Sequence, residues 1–88
     1  MTTQEFCTRM GDKIRELRID KGLSQEELGG KVGLHRNTVM GYENGKDIPV
    51  MVFIRICVAL GMPAGAVLDG VLIEKGSIAA GKETEGSV

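Results

Sequence analysis

The chain has 88 residues, 42% hydrophobic and 26% charged, an ordinary balance for one globular domain and not that of a disordered chain. Its formal net charge of −1 argues against generic binding to polyanions but leaves room for one locally basic face. One histidine and two distant cysteines cannot build a standard zinc site, and there is no GxGxxG or phosphate-loop pattern, so no metal, cofactor, small-molecule ligand or enzymatic activity is expected. Cys7 and Cys57 show no redox spacing and read as reduced, buried thiols of a cytoplasmic protein. No basic stretch followed by an apolar one opens the chain, and apolar runs such as residues 50–54 are too short to span a bilayer, so no membrane association is expected.

The first 70 residues read as helical throughout. A first helix is predicted over about residues 4–20, with Thr2 or Thr3 as its cap and Gly22 as its stop. Phe6, Met10, Ile14 and Leu17 share one face. Gly11 lowers the helix propensity by roughly 1 kcal/mol relative to alanine and is a place for a bend or a late start. A second helix begins at a capping box, Ser24 with Glu27, stapled by Leu23 and Leu28. Leu28 and Val32 point inward and Gly33 ends it.

A turn of Gly33, Leu34 and His35 leads to a third helix over Arg36–Glu43, closed by Asn44 and Gly45. Val39 and Tyr42 are its inward pair, while Arg36, Asn37, Met40 and Gly41 lie outward. A fourth helix is predicted over Val50–Leu60, and a fifth over residues 64–68 after Pro63. Residues 71–73 extend the fifth helix or form a short strand, and from Gly76 onward the small and charged residues read as a tail.

The second and third helices carry the functional signal. A capped start, a small residue at Gly29, a turn glycine at Gly33 and the later apolar pair form a helix-turn-helix pattern. Within residues 31–46, Lys31, Arg36 and Lys46 face only Glu43. The motifs IRELR, KGLSQEEL, YENGK and ALG, within residues 11–70, resemble the lambda-type repressor and Cro helix-turn-helix family of XRE-type regulators. The resemblance implies an all-α, compact five-helix bundle over residues 1–70, binding double-stranded operator DNA as a homodimer with the third helix in the major groove.

It also implies residue roles. Gln25, at a helix N-terminus, is matched to a phosphate contact. Arg36 can donate two bonds to a guanine edge and Asn37 can pair with adenine; Met40 can touch a thymine methyl, whereas Gly41 offers only backbone. His35, Thr38, Asn44 and Lys46 are placed at phosphates, which orient without reading sequence; His35 is alternatively a helix cap or a base contact, and Thr38 alternatively meets a thymine methyl. Arg18 and Glu43 are matched to a structural ion pair.

The fourth helix is apolar nearly all round, with Arg55 its single polar residue. Phe53, Ile54, Ile56, Cys57 and Leu60 are assigned to the core. Met51, Val52 and Val58, continued by Val71, Leu72 and Ile73, are left for a dimer interface. The same apolar surface keeps a second reading open: a protein-interaction module, such as an antitoxin or adaptor, on the same fold.

Overall fold

The computed structural model describes residues 1–72, and these form five helices and no strand. In chain order they are α1 (Thr3–Asp20), α2 (Gln25–Val32), α3 (Arg36–Glu43), α4 (Val50–Leu60) and α5 (Ala64–Leu72). The fifth helix therefore takes residues 71 and 72 into its last turn, and the alternative of a strand there is excluded. Ile73 lies outside the described residues.

Local chemistry accounts for the helix ends. Thr2 and Glu5 form a capping box on α1, and Ser24 and Glu27 form one on α2. Helix α1 runs unbroken through Gly11. At the end of α2, Gly33 adopts φ +77°, and Leu34 N–H returns to the Gly29 carbonyl at 2.8 Å, which turns the chain straight into α3. The turn is tight: a Cβ on Gly29 would stand 2.3 Å from the Leu34 carbonyl oxygen. Arg55 donates from α4 to the Val32 carbonyl at the end of α2, so the single polar residue of α4 ties that turn to the bundle.

Two apolar clusters hold the helices together. Ile14, Leu28, Val32, Val39, Ile56 and Leu60 join α1 to α2, α3 and α4. Met10, Phe53, Cys57, Val67 and Val71 join α1 to α4 and α5. Leu17, Ile48 and Met62 touch both clusters, so the core is continuous. Both cysteines are buried and unpaired, and burial pushes the Cys57 thiol above its ordinary value.

The rotation of α4 departs from the sequence reading. Ile54, assigned to the core, is 39% exposed. Val52, assigned to an interface, is half-buried against the first cluster. Val71 is fully buried and belongs to the core, not to an interface. When a helix is apolar on every side, periodicity does not choose its inward face; the positions of α1, α2 and α5 do. Val50, Met51, Ile54 and Val58 form the exposed stripe, with Leu72 exposed on α5.

Candidate nucleic-acid interface

Helix α3 buries Val39 on the cluster of α2 and turns its opposite face to solvent. His35, Arg36, Asn37 and Met40 are exposed there, and Thr38 is half-buried. His35 caps the helix: its Nδ1 accepts the Asn37 backbone N–H at 3.0 Å. That bond requires the ring hydrogen to be on Nε2, which leaves an outward donor at the positive end of α3.

The C-terminal end of α3 is anchored by one carboxylate. Glu43 is 1% exposed and lies against α1 and α2. Arg18 Nε donates to its Oε2 at 2.6 Å and Arg18 Nη2 to its Oε1 at 3.0 Å, a forked pair. Arg18 Nη1 also donates to the Leu23 carbonyl at 2.8 Å, tying down the connection between α1 and α2. Gln25 Nε2 donates to Glu43 Oε1 at 3.1 Å. Arg15 Nε lies 3.5 Å from the same oxygen. Burial alone would raise the Glu43 carboxyl, but the bonds from Arg18 and Gln25 and the charges of Arg18 and Arg15 outweigh it and hold the group below its ordinary range. Arg18 is raised in turn, chiefly by its bonds to Glu43.

This geometry rearranges the list of site residues. Arg36, Asn37 and Met40 share one exposed face, with His35 at its leading end. Gln25 already has one amide hydrogen on Glu43, and the capping box uses the Ser24 and Glu27 backbone N–H groups, so the other Gln25 amide hydrogen and the Gln25 and Glu26 backbone N–H groups remain for an anion. Asn44 is exposed as the C-cap of α3 and accepts from Arg15 Nη2 at 3.3 Å. Lys46 is exposed and follows the Gly45 turn.

Arg15 escaped the sequence reading. It stands three residues before Arg18, on the same side of α1, and that i,i+3 spacing was the available signal. The Gly11 role was missed as well. A Cβ at Gly11 would meet the carbonyl oxygens of Tyr42 and Glu43 at 2.5 and 2.6 Å, so the glycine marks where α1 crosses the end of α3. Met51 and Val58 lie on α4, apart from this face, among the exposed apolar residues described above. Among the described residues no cluster of His, Cys, Asp or Glu fits a metal ion.

Residues 9–69 match the family described as a helix-turn-helix domain, which covers most of the chain. The chain belongs to the helix-turn-helix domain family. Within that family it is similar to YgzD of Bacillus subtilis (strain 168), an uncharacterized HTH-type transcriptional regulator, with 43% identity over 54 residues, covering 60% of this chain and 82% of that one. It is also similar to RstR of Vibrio cholerae, the cryptic phage CTXphi transcriptional repressor, with 43% identity over 37 residues; these cover 42% of this chain and 33% of RstR. Among solved structures it resembles the restriction-modification controller protein C.AhdI from Aeromonas hydrophila, with a TM-score of 0.67 and 34% identity over 69% of this chain and 90% of that one. The expected all-α helix-turn-helix bundle and the XRE-type resemblance both stand. No single helix among the described residues of this helix-turn-helix chain is long and apolar enough to cross a membrane.

Proposed function

We propose that this helix-turn-helix chain is a DNA-binding transcription regulator of the repressor type, acting in the cytoplasm as a homodimer with α3 of each copy in the major groove of an operator. The class is that of its named relatives, an HTH-type transcriptional regulator and a transcriptional repressor, and no enzymatic step enters this reading. The observation that carries the finer reading is the outer face of α3. His35, Arg36, Asn37 and Met40 stand exposed in one row, and the only acid of the helix, Glu43, is buried on Arg18. Lys31, Arg36 and Lys46 are thus the outward charges of residues 31–46. A face of that composition suits base edges and phosphates.

In this reading Arg36 pairs with guanine, Asn37 with adenine, and Met40 packs on a thymine methyl. His35 Nε2, Thr38, Asn44 and the start of α2 at Gln25 take phosphates. The exposed stripe Val50, Met51, Ile54 and Val58 borders an apolar hollow of about 260 Å³ between α1, α4 and α5, lined in part by Phe6, Met10, Phe53 and Leu68. A second copy covering this face would pair two α3 helices about one helical turn apart, roughly 34 Å. Neither a cofactor nor a small-molecule ligand enters this reading.

The test is selection of bound duplexes from a random DNA pool, followed by mobility shift at several salt concentrations. A recovered motif with two half-sites, and an affinity that falls steeply with salt, supports the reading. The same exposed stripe favours a second reading, a protein-interaction module such as an antitoxin or adaptor. That reading gains if no motif is recovered and the stripe instead captures a different protein.

A further inference from the structure

The end of α3 is built so that Lys46 folds back over Gly41. Gly45, with φ +103°, donates to the Tyr42 carbonyl at 3.1 Å, and Lys46 N–H donates to the Gly41 carbonyl at 3.0 Å. These two bonds define a Schellman motif, whose geometry sets the residue after the turn beside the residue three positions inside the helix end. Here those residues are Lys46 and Gly41. A Cβ on Gly41 would lie 3.2 Å from Lys46 Cδ and 3.9 Å from Cγ, so the lysine stem occupies the space that a side chain at position 41 would fill.

Position 41 belongs to the reading face. It follows Asn37 by one turn, and Asn37, Thr38, Gly41 and Lys46 line a common hollow with Asp47 and Pro49. No ion pair among the described residues involves Lys46, Asp47 included. We propose that Lys46 reads a base: its stem crosses Gly41, and its ammonium takes the place of the reading side chain that Gly41 lacks. The matching base chemistry is guanine, whose O6 and N7 accept from lysine in the major groove. Lys46 thereby leaves the group of phosphate contacts in which the sequence placed it, because its stem lies along the face that enters the groove. The glycine favours this, since a Cβ at 41 would stand 3.2 Å from Lys46 Cδ and the stem would have to give by a few tenths of an ångström.

The inference rests on the DNA-binding reading. Its test compares wild type, Lys46→Ala and Gly41→Ala on the duplex selected from a random pool, on duplexes changed at each base pair in turn, and on a random duplex. Lys46→Ala is expected to lose roughly tenfold or more on the selected duplex, and much less on the random one, and to lose its preference at one G·C pair. Gly41→Ala is expected to melt at a higher temperature, because alanine is the better helix former, yet to weaken the preference at that same pair. A structural role for Gly41 would not produce that combination. If Lys46→Ala weakens every duplex alike, or Gly41→Ala leaves the preference intact, the proposal is overturned while the DNA-binding reading survives. If wild type selects no motif at all, the two fall together.

Discussion

Gly11 of α1 and Tyr42 of α3 approach so closely that a Cβ on the glycine would stand 2.5 Å from the Tyr42 carbonyl oxygen. Backbone meets backbone there, so neither helix can yield by turning a side chain. Gly30 offers the opposite case: it lies inside α2, is exposed, and has nothing within 4 Å of its missing Cβ. Gly30→Ala should raise stability by about 0.5–1 kcal/mol through helix propensity. Gly11→Ala makes the same propensity gain and should still lower stability, by about 1–3 kcal/mol, because the helices must separate. Urea titrations of the two variants check the opposite signs; stabilisation by both would contradict the crossing.

The buried carboxylate predicts acid sensitivity. Glu43 is held below its ordinary value of 4.5 in the folded chain. A depressed folded value means that the stabilisation is fully present above the unfolded value and is lost as pH falls from about 4.5 through the lowered folded value. Removing the carboxylate leaves Arg18 partly buried without its partner, so Glu43→Ala should cost about 3–5 kcal/mol at neutral pH. Its remaining stability should lack the part of the acid-side loss that Glu43 supplies. Denaturant midpoints measured from neutral pH down to acid, for wild type and variant, give both numbers.

For Arg36 the prediction concerns specificity. Its side chain is exposed on the outer face of α3 and makes no hydrogen bond or ion pair among the described residues, so Arg36→Ala should fold normally. Affinity for the selected duplex should fall by about 1–3 kcal/mol, with a smaller effect on random DNA. Quantitative mobility shift on the two duplexes decides it. A similar loss on both would make Arg36 a phosphate contact.

On α4, neighbouring apolar residues should behave in opposite ways. Val58 is 74% exposed, whereas Ile56 is fully buried. Val58→Asp should leave the melting temperature nearly unchanged, abolish the proposed dimer in sedimentation, and weaken binding to a two-half-site duplex. Ile56→Asp should prevent folding, because it buries an unpaired charge in the core. A wild-type chain that stays monomeric at high concentration would defeat the interface, whatever the variants do.

Helix positions and helix ends were legible from the residues alone because their causes are local. The Ser24–Glu27 box, the threonine cap of α1, the Gly33 turn and the Gly45 turn each act within five residues, although the choice of Thr2 and its reciprocal bond with Glu5 came only with the structure. The outward row of α3 was legible too, since Val39 leaves only one way for an amphipathic helix to lie. What the tertiary structure alone decided depends on approach between distant segments. It turned Ile54 outward and drew Val52 and Val71 inward, because α4 and α5 are too apolar for periodicity to select a face. It also brought Arg15 and Gln25 to Glu43, beside the Arg18 already matched to it, residues up to 28 positions apart in the chain, and made Gly11 a point of contact between helices. A sequence pattern records which side chains share a helix face, but the rotation of that face is set by the volumes packed against it, and those exist only in the folded chain.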